Sequence, residues 1–438
     1  MKEQSKIPVS KVQRATKFVK TGVKVGGNYV KHYAKKMVDP NVDKSELDQK
    51  NADDIYSSLS ELKGSALKVA QMMSMDKNIL PTAYQDKFAM AQYSAPPLSY
   101  PLVVKTFNKY FDQSPTELFD SFSKNAVNAA SIGQVHRAIS GNKKLAVKIQ
   151  YPGVAESISS DLKIVKPFAK RLFNISEVDL DHYLKEVEDR LMEETDYSLE
   201  LLRSSEISKS CSHIDRLEFP EYYPKYSSKR ILTMDWLEGF HLSEYLKTNP
   251  DQKTRNNMGQ ALWDFFDFQI HVLKQVHADP HPGNFLFREN GTIGILDFGC
   301  VKVIPEKFYD RYFLMHDREF VANEEQLRSL LFELSFLSKE DTKEEEKIFY
   351  GIFTEMIGLL GKPFHSEVFD FSNKDFFDRI YELGDRVSKM KEVRQSKSAR
   401  GPQHGLYINR TFFGLYHLLH ELGAKVQTGK TNRRPLAA

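Results

Sequence analysis

His277-Ala278-Asp279-Pro280-His281-Pro282-Gly283-Asn284, followed after a turn at Glu289-Asn290-Gly291 by Asp297-Phe298-Gly299, is the stretch on which the reading of this chain depends. Asn284 lies five residues after Asp279, and Asp297 lies eighteen after it. That spacing suits phosphoryl transfer: Asp279 would orient or deprotonate an attacking hydroxyl or water, and Asn284 and Asp297 would hold Mg²⁺ against phosphate oxygens. The same segment admits a second reading, in which the alternating His277, Asp279 and His281 ligate the metal of a hydrolase. That reading leaves Asn284 and the Asp-Phe-Gly without a role.

Upstream, the small residues of Asn128-Ala129-Ala130-Ser131-Ile132-Gly133-Gln134 enter a strand. Small side chains let backbone N–H groups approach phosphate oxygens, so Ala129 to Gln134 are candidate nucleotide contacts. A turn at Ser140-Gly141-Asn142 leads to the alternating strand Leu145–Gln150, which carries Lys148. Such a lysine pairs α/β-phosphates when a carboxylate holds it, and Glu200 is the candidate, on a helix expected over 190–203. On spacing alone, Lys148 and Glu200 equally suit solvated faces. Arg230–Gly239 reads as a strand running into a connector, with Met234, Asp235 and Leu237 placed to meet an adenine edge. In order, the loop, the lysine, the Asp/Asn loop and the Asp-Phe-Gly follow the protein-kinase template. No Ala-Pro-Glu segment follows, only Val303-Ile304-Pro305-Glu306, so a peptide-docking platform is missing.

With those motifs the chain resembles the UbiB family (AarF group) of atypical kinase-like proteins over roughly residues 50–425. The resemblance assigns an E-x-D pair of regulatory acids to Glu194 and Asp196, and the lysine-pairing glutamate to Glu200. It assigns the family's K-x-G-Q signature to Lys68-Val69-Ala70-Gln71, with alanine in the glycine position. Lys68 and Gln71 then fold over the active site and meet the acids; spacing alone shows only two side chains three apart on one helix face. The resemblance implies an α+β, bilobal, protein-kinase-like fold with a small β-rich N-lobe, a helical C-lobe and a helical N-terminal extension. It also implies Mg²⁺ with ATP or ADP, ATP hydrolysis more than protein phosphorylation, and a role in isoprenoid quinone biosynthesis at a membrane. The partners expected are nucleotide, an isoprenoid lipid or quinone precursor and biosynthetic-complex proteins. The alternatives are a pseudokinase scaffold using nucleotide as a conformational ligand, or a phosphotransferase acting on a protein or small molecule.

The ends of the chain differ in charge from its body. Residues 1–37 carry ten Lys/Arg and one acid, +9, so the remainder of this 438-residue chain of net charge +3 carries −6. An acidic body argues against a nucleic-acid surface and confines anion binding to the arm. Residues 9–25 read as an amphipathic helix with Val12, Ala15, Val19 and Val23 on one face and Arg14, Lys17, Lys20 and Lys24 opposite, broken by Gly26-Gly27. It would lie either on an anionic membrane or against the body with a solvated basic face. A helical pattern runs from about 45 to 94. No apolar run reaches the ~18 residues of a spanning helix, and two cysteines, Cys211 and Cys300, suit a reducing compartment. No signal peptide is read, so the expectation is a cytoplasmic protein, peripheral at the inner face of the cytoplasmic membrane. The expected divisions are 1–38 (arm), 39–125 (extension), 126–235 (N-lobe), 236–427 (C-lobe) and 428–438 (polar tail).

Overall fold

Gly141, at φ +57°, turns the chain between β3 (Gly133–Ser140) and β4 (Lys143–Gln150), which pair antiparallel along their full length. Glycine takes this left-handed conformation without the Cβ clash other residues meet. The computed structural model in which this hairpin sits describes residues 11–39, 43–62, 87, 97–129, 132–172, 177–278, 280–394, 396 and 400–429. The described chain forms an α+β, protein-kinase-like fold in two compact units, 1–201 with 222–236, and 202–221 with 237–438. Residues 202–221, expected in the N-lobe, thus group with the second unit.

In the first unit β1 (Ser121–Phe122), β3, β4 and β6 (Ile231–Asp235) follow one another across an antiparallel sheet, and β2 (Asn128–Ala129) pairs with β3. The alternation along β4 sends Leu145, Val147 and Ile149 to one face, where they pack with Val103 and Phe107 of a helix at Tyr100–Phe111. Ala146 and Lys148 take the other face, with Tyr197, Leu232 and Met234.

α1 (Lys11–Val38) runs straight through Gly26-Gly27, contrary to the break expected there. Each glycine costs about 1 kcal/mol of helix propensity relative to alanine, which packing overrides. The packed face is also not the one expected. Arg14, Phe18, Thr21 and Asn28 are buried against α2 (Ser45–Leu62) and α3 (Val154–Leu172), while Val19 and Val23 are 65% and 71% exposed. The seam is polar: Arg14 makes a bidentate pair with Asp161 (2.7 and 2.5 Å), Thr21 Oγ1 donates to Ser58 Oγ (2.6 Å), and Asn28 Nδ2 donates to Asn51 and Asp54 (2.9 Å each). Apolar periodicity cannot register such a face. The helical pattern expected over 45–94 is seen to Leu62; beyond it, Lys68 and Gln71 lie outside the described residues.

The second unit is built on α6 (Gln252–Phe268), whose Met258, Leu262, Phe265 and Phe266 are fully buried, and on α7 (Lys343–Leu360), α8 (Lys374–Lys389) and α9 (Gln403–Leu422). Between α3 and α6 run the longer helices α4 (Glu177–Glu194) and α5 (Tyr197–Cys211) and a single helical turn at Leu242–Tyr245. The unit is not purely helical: β7 (Gln275–His277) pairs with β10 (Val301–Val303), β8 (Phe285–Phe287) with β9 (Ile293–Ile295), β5 (Leu217–Glu218) runs parallel to β9, and β11 (Val368–Asp370) pairs with β12 (Lys425–Gln427). The expected polar tail begins later than position 428. Thr428 is fully buried, its Oγ1 donating to Ser366 O at 3.0 Å, and Gly429 N–H donates to Glu367 O.

Candidate nucleotide site

In the first unit Lys148 Nζ donates to Glu200 Oε1 at 2.8 Å, with the side chains 17% and 3% exposed. A solvated face is excluded for Glu200, which is buried and engaged. Position follows from the strand and a cap. The expected single helix over 190–203 is two, because Asp196 stops one and starts the next. Its Oδ1 accepts from Ser198 N–H (3.1 Å) and Leu199 N–H (3.4 Å), an N-cap that places Glu200 in the first turn of α5. A carboxylate there is favoured by the helix dipole. The cap was legible as an Asp just ahead of a helical pattern, a signal the sequence reading did not use. Glu194, at the end of α4, is buried; the Thr195 carbonyl between the two acids accepts from Gln150 Nε2 (3.1 Å) and Arg230 Nη1 (2.5 Å).

Tyr197 was missed by sequence reasoning. Its ring lies 5.0 Å below the Lys148 ammonium, a cation–π contact, and a Cβ on Gly133 would come 2.8 Å from its hydroxyl and 2.7 Å from Ile149 O. Gly133 is therefore glycine for close approach. Ala129 pairs with Gln134 at the strand edge, and Ala130 and Ser131 lie outside the described residues. Two candidate contacts have their side chains engaged elsewhere, which leaves their backbone N–H groups as the expected contacts. Ile132 is buried in an apolar cluster with Leu98, Tyr151 and Val154, and Gln134, 1% exposed, hydrogen-bonds Leu98 and His136. Met234 is buried on β6, and Asp235 accepts from Tyr223 Oη at 2.7 Å, so of these two any nucleotide edge would meet backbone.

In the second unit the Asp/Asn loop is held from several directions. Gln269 Oε1 accepts from His277 N–H (3.1 Å), Cys300 O from Ala278 N–H (2.8 Å), and His281 Nδ1 from Gly283 N–H (3.0 Å). Leu296 N–H donates to Asn284 O at 2.9 Å, which brings Asn284 beside the residue preceding Asp297. Asp297 Oδ1 accepts from Gly299 N–H at 2.6 Å, fixing the turn. Amide and carboxylate oxygens together are a donor set that fits Mg²⁺. Asp279 itself lies outside the described residues. The hydrolase reading loses a ligand, because the His277 ring is buried between Phe266 and Phe298, with centroids 6.4 and 5.4 Å away. Leu237 belongs to this unit, packed over Gly294. Cys300 is a small buried residue.

A strand lysine held by a buried glutamate and, in the second unit, an Asp-Phe-Gly whose preceding Leu296 is bonded to the Asn284 backbone define a kinase-like protein. Residues 90–329 match the ABC1 atypical kinase-like domain, and the chain belongs to that family, the UbiB (AarF) group, as an atypical kinase of the UbiB type. It is 28% identical to the mitochondrial atypical kinase COQ8B of Danio rerio, covering 97% of this chain and 68% of that protein. It is 27% identical to the mitochondrial atypical kinase COQ8 of Saccharomyces cerevisiae (88% and 76%) and, equally, to the probable serine/threonine-protein kinase abkA of Dictyostelium discoideum (97% and 78%). Among solved structures it resembles the Rv3197–erythromycin complex from Mycobacterium tuberculosis, with a TM-score of 0.58 at 26% identity, covering 88% of this chain and 95% of that one.

Proposed function

We propose that this atypical kinase binds Mg-ATP or Mg-ADP and hydrolyses ATP in support of isoprenoid quinone biosynthesis at a membrane surface. The observation that carries the nucleotide reading is the Lys148–Glu200 pair, a half-buried strand cation fixed by a buried carboxylate, with Gly133 packed close to the neighbouring Tyr197. Lys148 pairs the α/β-phosphates, Asn284 and Asp297 hold the metal that neutralises phosphate charge, and Asp279 orients the nucleophile. The resemblance to the UbiB group supports the quinone role, and with it the assignment of Lys68 and Gln71 to the active site.

The outward face of α1 supports membrane contact. Val19, Val23, Val30 and Met37, at helical spacing, are 65%, 71%, 71% and 88% exposed, and Lys20, Lys31 and Lys36 are exposed on the same helix. Near an anionic surface each Lys contributes on the order of 1 kcal/mol. Among the described residues no helix is long and apolar enough to cross a bilayer.

The test is thermal melting with Mg-ATP and Mg-ADP, then phosphate release with and without anionic liposomes. Ligand at a hundredfold excess over Kd stabilises by about 2.7 kcal/mol. The shift should vanish in Asp297→Asn; equal shifts in both proteins would refute the metal assignment. Lys68→Ala should alter turnover without unfolding the chain, and removal of residues 1–38 should abolish sedimentation with anionic liposomes while leaving nucleotide binding intact.

A further inference from the structure

Gln134 and His136 sit in the stretch read as phosphate-covering, yet their side chains are 1% and 0% exposed. Their hydrogen bonds form one chain whose direction is set by chemistry. Ser123 O can only accept, so His136 Nδ1 (2.7 Å away) carries the ring proton and Nε2 is bare. The bare Nε2 accepts from the Gln134 amide NH₂ at 2.8 Å, which turns Gln134 Oε1 toward Leu98 N–H, at 2.6 Å. Flipping the amide would set two acceptors against each other at one end and two donors at the other. Gln134 Nε2 also lies 3.5 Å from Leu98 O, so one side chain meets both backbone groups of Leu98, as a neighbouring strand would. Phe122 stacks on the imidazole at 5.0 Å, and burial lowers the His136 pKa, which keeps Nε2 an acceptor.

Leu98 also reaches the loop directly. Its side chain, 2% exposed, packs with Ile132, the residue before Gly133, and Ile132 O accepts from Tyr151 N–H at 2.9 Å.

We propose that Gln134 and His136 are positioning residues that couple the backbone at Leu98 to the start of the phosphate-covering loop. This rests on the nucleotide reading above. A shift of Leu98 moves Gln134 and Ile132 together, on either side of Gly133, and so moves the backbone N–H groups that face phosphate.

The experiment combines hydrogen exchange at the Leu98 amide with Mg-ATP affinity in the full chain, for Gln134→Leu, His136→Phe and the double variant. Phe107→Leu, a fully buried substitution in the same unit, serves as a stability control. Each relay variant should speed Leu98 exchange and weaken Mg-ATP binding by about tenfold, the scale of one buried hydrogen bond. The double variant should be no weaker than the worse single, because both act on one path. Phe107→Leu should lower the melting temperature and leave affinity unchanged. His136→Phe keeps the ring stack on Phe122, so the pair is measurable even where Gln134→Leu is too unstable. Unchanged Leu98 exchange, or affinity losses no larger than in Phe107→Leu, would overturn the proposal. Wild-type protein that binds no nucleotide, with Leu98 exchange still faster in the variants, would instead remove the nucleotide reading and leave the relay without a loop to place.

Discussion

Gly414 on α9 faces Pro280 so closely that a Cβ at position 414 would lie 2.3 Å from the proline Cγ and 3.1 Å from its Cβ. Pro280 directly follows Asp279, and its ring cannot swing aside. The last long helix is thus the backstop of the Asp/Asn loop. Gly414→Ala should push the loop outward and lower phosphate release by about a hundredfold, the cost of a misplacement near 1 Å. The melting shift with Mg-ATP should persist. Full activity in that variant would mean that the helix yields instead of the loop.

Glu200 sits 3% exposed beneath Lys148. Glu200→Ala leaves a largely buried cation without its carboxylate and should destabilise the first unit by on the order of 3 kcal/mol. Glu200→Gln, which keeps an acceptor at that position, should recover part of the stability but not the nucleotide shift. Chemical denaturation and nucleotide melting curves, read side by side, check both statements.

The depressed pKa of His136 makes stability depend on pH in a stated direction. The folded pKa lies below the ordinary value of 6.5, chiefly through desolvation, with the Ser123 carbonyl opposing. The unfolded state therefore takes up the proton first as pH falls. The stabilisation is present above pH 6.5 and is lost as pH falls from there toward the folded pKa. The ring is packed by Phe122, Gln134 and the Ser123 carbonyl. His404, lowered by burial and by Lys302, contributes in the same window. The His136 share is the difference between wild type and His136→Phe in unfolding free energy from pH 7.5 to 5, and identical slopes would contradict it.

Arg14 and Asp161 form a bidentate pair, 4% and 0% exposed. Arg14→Ala or Asp161→Ala should each cost about 3–5 kcal/mol by stranding a buried charge. Arg14→Met combined with Asp161→Leu should recover most of that loss. A double-mutant cycle on urea midpoints measures the coupling, and additive losses would show that the pair is not the anchor of α1.

How much of this was legible in the sequence depended on the kind of signal. The β3–β4 hairpin showed in its alternation and its Gly141 turn, and the Asp/Asn loop and Asp-Phe-Gly showed in fixed spacing. Both are local. The Lys148–Glu200 pair joins residues far apart, and spacing left it open; the cap at Asp196 and the burial of Glu200 decide it. The role of the Gln134 side chain was not legible, because one of its partners, Leu98, offers only backbone atoms, which no residue type announces. α1 misled for a related reason. Its buried face sets arginine, threonine and asparagine around Phe18, and hydropathy scores those three as an outer face. Gly414 carried no signal at all, because a close approach between distant segments leaves no periodic trace.

The polar seam under α1 has a consequence for handling the chain. A helix seated on valines would, once detached, uncover a sticky strip and drive clumping. Here the described α1 side of the seam is largely polar, with Thr21 against Ser58 and Asn28 against Asn51 and Asp54, while Phe18 and, on α2, Leu47, Tyr56 and Leu59 are buried apolar groups. Lift-off then has to wet both kinds of group and break the Arg14–Asp161 clamp, so the helix acts as a latch whose release strength that buried ion pair helps to set.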